Sequence, residues 1–223
     1  MRLALFDCDG TLVDSQHVIV AAMQAAFAAE NLAWPGRERI LAVIGLSLGE
    51  AFGVLVPGHD GARREMLAAG YKANFHALRQ DPAHHEPLFE GVRATLERLA
   101  ARQDVLLGIA TGKSQRGVRA LLEREGLDKH FVTIQTADDA PSKPHPGMVM
   151  QAMAAAGAGP RETVMIGDTS YDMMMARAAG ASALGVGWGY HPQSALMAAG
   201  AQAIANRFSD IDDHLHDLWE AAA

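Results

Sequence analysis

Short apolar runs, each ending at a polar residue and separated from the next by a helical stretch, constrain this chain more than any other feature. Residues 3–6 end at Asp7, and comparable runs follow at 105–110, 131–135, 163–166 and 183–186. Such runs read as strands buried on both faces. Between them, segments such as 118–125 and 171–179 carry helical spacing and stop at Gly126 and Gly180. Glycine closes helices because it adopts the left-handed conformation without a steric penalty. Strand and helix in alternation predict an α/β fold, a doubly wound parallel sheet with helices on both faces.

Residues 15–87 break that alternation. Ile19, Met23, Ala26 and Phe27, then Leu67, Tyr71, Phe75 and Leu78, recur at helical spacing, and no run there reads as a strand. The expected organisation is an α/β core from residues 1–14 and 88–223, with an all-helical insertion at 15–87 that leaves through the Pro-bounded stretch DPAHHEP. A chain of 223 residues suits one domain with a large insertion. His84 and His85 in that exit read as solvated, because no third ligand stands at metal spacing.

Apolar residues make up 49% and charged residues 20%, which excludes a disordered or fibrous chain. The formal charge of −7 leaves no global positive field for nucleic acid or anionic lipid, so any anionic ligand needs a local cation. The lone Cys8 has no partner for an internal disulfide and suits a reducing compartment. Neither a secretory leader nor a long uncharged apolar run is evident, so a soluble cytoplasmic protein, monomer or homodimer, is expected.

In a doubly wound sheet, ligands bind beyond the carboxyl ends of the strands, so the residues just after each strand carry the functional information. After the first come Asp7, Cys8, Asp9, Gly10 and Thr11. Alternation puts the two acids on one side and the cysteine on the other, where it packs. Two carboxylates about 4 Å apart repel by roughly 4 kcal/mol at an effective dielectric near 20, so a cation or a shared proton must relieve them. After the second strand, Thr111, Gly112, Lys113 and Ser114 offer a hydroxyl and free amides at a helix start, groups suited to phosphate oxygens. The text GIATGKS imitates a P-loop, but Leu107 stands where that motif needs glycine. Lys143 follows the third strand in a proline-stiffened turn, and Asp168 and Asp172 follow the fourth, one helical turn apart. Taken alone, that last pair reads equally as a capping cluster.

The ordered set of DCDGTLVDS, Thr111, Lys143 and GDTSYD resembles the four motifs of the haloacid dehalogenase superfamily, and the resemblance covers essentially the whole chain. The insertion stands where that superfamily places a helical cap domain. Asp9 points away from true dehalogenases, and ATGKS, SKPHP and GVGWGYHP look most like the phosphoglycolate-phosphatase-like branch. The resemblance implies a phosphatase in which Asp7 is the nucleophile, Asp9 the acid and base, and Thr111, Gly112 and Lys143 the phosphate-binding groups. It further implies Mg²⁺ held by Asp7, the Asp9 backbone carbonyl and Asp168, with Asp172 in the outer shell or bound through water. A small phosphorylated metabolite is the implied partner.

A sugar phosphomutase would need an arginine in the cap loop, where this chain has Gly45, Leu46, Ser47 and Leu48. A phospho-accepting receiver module would carry its acid pair before the accepting aspartate, whereas Asp168 and Asp172 come long after Asp7. Specificity is expected in residues 45–50, with Ser47 the polar contact and Arg37, Arg39 or Lys72 the cation for a substrate carboxylate. Residues 185–189 read as a loop, 173–175 as packing methionines, and Asp210, Asp212, Asp213 and Asp217 as a solvated helix face.

Overall fold

The computed structural model describes residues 1–222. A six-stranded parallel sheet forms the centre, in the order β3-β2-β1-β4-β5-β6. Its strands are β1 (Arg2–Phe6), β2 (Val105–Thr111), β3 (Phe131–Thr136), β4 (Thr163–Gly167), β5 (Ser182–Val186) and β6 (Ala203–Ala205). Five of these follow the apolar runs of the sequence. The sixth, β6, is three residues long and carries no pattern of its own.

Period-two geometry sends Ala4 and Phe6 of β1 to one face and Leu3 and Leu5 to the other. The first face is covered by α5 (Val92–Ala100), α6 (Gln115–Glu125) and α10 (Ile211–Ala222). The second is covered by α7 (Gly147–Ala156), α8 (Ser170–Ala178) and α9 (Gln193–Ala198). Cys8 packs into the first cluster, on the opposite side from chemistry, and Met173 and Met175 pack into the second. Asp213 and Asp217 are exposed on α10, while Asp212 pairs with Arg98 and Asp210 caps its own turn by accepting from the Arg207 amide.

The stretch between β1 and α5 is helical and carries its own apolar cluster. It contains α1 (Gln16–Ala29), α2 (Arg37–Leu41), α3 (Leu48–Leu55) and α4 (Gly61–Leu78). Ile19, Met23, Ala26 and Phe27 of α1 pack with Ile40, Phe52 and Leu67 from the other helices. Its two links to the sheet run side by side. The Asp14 amide donates to the Pro87 carbonyl at 2.9 Å, the Phe89 amide to the Leu12 carbonyl at 3.0 Å, and Val13 bridges Leu88. Among the described residues, no helix is long and apolar enough to cross a membrane.

Strand order reverses between β1 and β4, because successive strands from β1 are laid down in opposite directions on its two sides. That crevice is where an open α/β sheet binds ligands. Asp7 and Asp168 are the first residues beyond the carboxyl ends of those two strands.

Candidate active site

Asp7, Asp168 and Asp172 are buried at this crevice, each with a carboxylate oxygen within 4.8 Å of the others. Each acid has a different set of partners. Asp168 accepts from the Thr11 hydroxyl at 2.9 Å and from the Tyr190 amide at 2.9 Å. Asp172 accepts from the Thr169 hydroxyl at 2.7 Å and amide at 3.1 Å, which also caps α8, and from Lys143 Nζ at 2.5 Å. The capping and functional readings of this acid pair are thus both met by one arrangement. Asp7 differs, because neither of its buried carboxylate oxygens receives a hydrogen bond. Lys143 Nζ stands 2.9 Å from Asp7 Oδ1, an ion-pair contact that favours the ionised carboxylate.

Burial pushes the Asp7 carboxyl up to about 6, with Lys143 opposing the rise and Asp172 adding to it. Burial, then the charges of Asp7 and Asp172, hold Asp168 well above the ordinary carboxylate range. Burial works against the Lys143 charge, but the Asp172 and Asp7 carboxylates outweigh it and keep the ammonium protonated. With every acid of the cluster ionised, one lysine would leave two negative charges uncompensated. Oxygen donors, charge and the unpartnered Asp7 oxygens fit a hard divalent cation, and Mg²⁺ takes such ligands.

A carboxyl whose folded-state value lies above its unfolded one binds its proton more tightly when folded, so its stabilising contribution is lost as pH rises between the two values. In metal-free buffer, Asp7→Asn should therefore gain stability over the unaltered protein as pH rises from 3.8 to about 6. The shift corresponds to a gain of order 3 kcal/mol. Paired melting curves in chelator across that range check the sign, and a gap that narrows would contradict it.

Thr111 ends β2 beside this cluster, and Gly112 follows it. Thr111 is buried, accepts from the Lys113 amide at 3.3 Å, and favours the ionised form of Asp7. A Cβ on Gly112 would stand 2.6 Å from the Gly45 carbonyl oxygen and 2.9 Å from that of Leu46, so the helical insertion rests directly on this turn. Ser47 lies on the same seam. Its amide donates to the Ser142 hydroxyl at 2.8 Å, and its own hydroxyl caps α3 by accepting from the Glu50 amide at 3.4 Å. The hydroxyl expected to touch substrate thus already has a structural partner. Arg37, Arg39 and Lys72 are exposed, and Arg37 bonds Gln16.

Asp9 departs from the expectation that it converges with Asp7 on one relieving cation. Its carboxylate stands outside the three-acid cluster and accepts from Lys113 Nζ at 2.8 Å. Each acid therefore has its own lysine. Lys113 sits 3.0 Å from the fully buried Glu86 and lies over the Phe75 ring of α4. That placement removes it from any P-loop role.

The 185–189 loop and its continuation line the site, which the sequence reading missed. Tyr190 supplies the amide on Asp168 and accepts from the Ser15 amide at 3.0 Å, while Trp188 Nε1 donates to the Thr11 carbonyl. A Cβ on Gly189 would lie 2.0 Å from Asp168 Cβ, so glycine is required there. Gly189→Ala should displace Asp168 and cost at least about 2 kcal/mol, the range of a severe steric clash in a packed interior. Thermal melting with and without Mg²⁺ checks this, and an unchanged metal-induced shift would refute it.

The fold and site define an α/β enzyme of the haloacid dehalogenase type. Residues 4–186 match the family described as Haloacid dehalogenase-like hydrolase, and the chain belongs to it. The chain is 39% identical over 226 residues to a probable phosphatase, IndB, of Dickeya dadantii, covering 99% of this chain and 96% of that one. It is 32% identical over 217 residues to the pyrophosphatase PpaX of Bacillus pumilus, covering 95% and 94%. It is 33% identical over 218 residues to a phosphoglycolate phosphatase of Chromobacterium violaceum, covering 96% of each. A hydrolase from Pseudomonas syringae superposes with a TM-score of 0.86 at 29% identity, covering 97% of this chain and 99% of that one. The protein is an enzyme, a haloacid dehalogenase-like phosphatase.

Proposed function

We propose that the protein is a Mg²⁺-dependent phosphatase that hydrolyses small-metabolite phosphomonoesters through phosphorylation of Asp7, with phosphoglycolate the leading single substrate. The observation carrying this reading is the buried Asp7 carboxylate, clustered with two further acids and faced by the Lys143 ammonium, with neither oxygen held in an aligned hydrogen bond. A carboxylate so placed keeps its lone pairs for an incoming electrophile.

Asp7 attacks phosphorus in line, forming an O–P bond as the ester O–P bond breaks, while Asp9 gives its proton to the departing oxygen. Asp9 then takes a proton from the water that attacks the phosphoaspartate, which releases phosphate and frees Asp7. Lys143, the Thr111 hydroxyl and the Gly112 amide hold the phosphoryl oxygens. Asp7, Asp168, the Asp9 carbonyl and, through water or in the outer shell, Asp172 would hold Mg²⁺, which would supply the positive charge that lets a phosphate approach these acids.

Residues 15–87 act as a cap over a catalytic core made of 1–14 and 88–223, a division supported by the paired links and the separate apolar cluster. The cap excludes bulk water and selects the leaving group through residues 45–50, which lie against Gly112 and Ser142. The half-buried Leu48 where a mutase loop has arginine favours hydrolysis over phosphoryl return to a sugar. The lone buried thiol supports a cytoplasmic setting.

The test is a panel of phosphate esters, pyrophosphate included, with purified protein and phosphate release as readout. Release should require Mg²⁺, and phosphoglycolate should lead other small monoesters by about tenfold, roughly 1.4 kcal/mol. Ser47→Ala should shift that ranking. No release from any ester with Mg²⁺ would overturn the reading, and release of pyrophosphate alone would overturn the substrate class.

A further inference from the structure

Lys113 is a buried cation to which the proposed chemistry assigns no task. Its side chain is 6% exposed, with Nζ 2.8 Å from Asp9 Oδ1 and 3.0 Å from Glu86 Oε1. Glu86 lies in the link that brings the chain back from the helical insertion. Its carboxylate is completely buried, with Arg79 Nε, from the C-terminal cap of α4, 2.6 Å from Oε2. The Glu86 carbonyl also accepts from Arg124 at 2.7 Å, which ties the link to α6. The Phe75 ring of α4 covers the ammonium at 5.2 Å. Burying a lysine this deeply is costly unless its partners are fixed. With both carboxylates engaged, Lys113 has little freedom to meet a substrate anion.

We infer that Lys113 is a positioning residue that aims the Asp9 carboxylate at the leaving-group oxygen, and that Glu86 of the link holds Lys113 in place to do so. The inference rests on the proposed phosphatase reading. A charge-assisted bond of this length fixes a carboxylate that otherwise rotates about its own side-chain bonds. Partners on the sheet and on the link set the ammonium between them, so the acid and base is held by the same contacts that seat the insertion.

The test separates proton transfer from phosphoryl binding. A nitrophenolate departs without a proton, whereas an alkoxide needs one, so misplacing Asp9 should penalise alkyl esters selectively. Lys113→Met should lose at least about tenfold more kcat/KM, which reads leaving-group departure and not the shared hydrolysis of the phosphoaspartate, on glycerol 2-phosphate than on p-nitrophenyl phosphate. That is less than the full effect of general acid catalysis, roughly 10²–10⁴-fold, because Asp9 itself is retained. Inhibition by inorganic phosphate should stay near its original strength, since phosphoryl binding is untouched, and Lys113→Arg should recover part of the loss. Asp9→Asn should show the same bias more strongly. Glu86→Gln, which keeps Lys113 paired with Asp9, should show it more weakly, and stands in if Lys113→Met does not fold. Equal losses on both esters in the Lys113 variant, with the bias intact in Asp9→Asn, would overturn the inference and leave the phosphatase reading standing. An unbiased Glu86→Gln would overturn the part given to the link. Absence of turnover in the unaltered protein, or an unbiased Asp9→Asn, would overturn both.

Discussion

Asp7→Asn is expected to lower turnover by roughly 10⁴-fold or more while leaving the chain folded, as for removal of a nucleophile that nothing nearby replaces. The neighbouring acids are poor substitutes. Asp168 is held by Thr11 and Tyr190, and Asp172 by Thr169 and Lys143, so neither carboxylate is free to turn toward phosphorus. An amide at position 7 is nearly isosteric, and it removes one ionisable acid from a buried cluster of three that has a single lysine. Metal-free stability should therefore rise, while the stabilisation conferred by Mg²⁺ should fall, because one charged oxygen ligand is lost. Phosphate release and melting curves on the same preparation check both signs. Retained turnover would remove Asp7 from the nucleophile's role, and an unfolded variant would show that burial of its charge is needed for the fold.

The same position illustrates what the sequence could convey. Asp7, Thr111 and Asp168 were legible because each adjoins the carboxyl end of a buried strand, and parallel strands necessarily bring those ends to one edge. Lys143 was legible only through its order among the others. Lys113 was not, because its text imitates a phosphate loop and its partner Glu86 is fixed by how the insertion returns to the sheet. The part played by residues 188–190 was equally hidden. It depends on a backbone amide pointing at Asp168 and on the absence of a Cβ, neither of which has a periodic signature. In the insertion, periodicity identified the helices but not their facing. Leu67 is fully buried, whereas Tyr71 and Phe75, on the same spacing, are half-buried toward the core, with Phe75 over Lys113. β6 escaped because three residues between polar neighbours carry too little pattern to distinguish strand from loop.

Lys143→Met should cause the largest combined loss, in stability as well as in activity. The side chain is fully buried, and its ammonium stands 2.5 Å from Asp172 and 2.9 Å from Asp7. Methionine fills a similar volume, so the effect isolates charge from packing. Removing one partner of a buried ion pair costs about 3–5 kcal/mol, because the remaining charge stays desolvated and unpaired. Here three acids would be left with no cation at all, so protonation of Asp7 or Asp168 should relieve part of the strain. Stability in chelator should therefore recover as pH falls, beginning above the value of about 6 that Asp7 holds while Lys143 opposes its rise. Added Mg²⁺ should recover stability by the opposite route, since a divalent ion replaces the missing charge and gains affinity from the more negative cluster. Activity should not return with it. With Lys143 gone, the phosphoryl oxygens lose a fixed donor that no solvent-borne cation can replace in the same geometry, and a loss of about 10²–10³ in kcat should persist at saturating Mg²⁺. Melting temperature and kcat measured across a Mg²⁺ titration distinguish the two contributions. Recovery of both would mean that Lys143 serves only to neutralise the acids, and recovery of neither would mean that its aliphatic stem and not its charge supports the site.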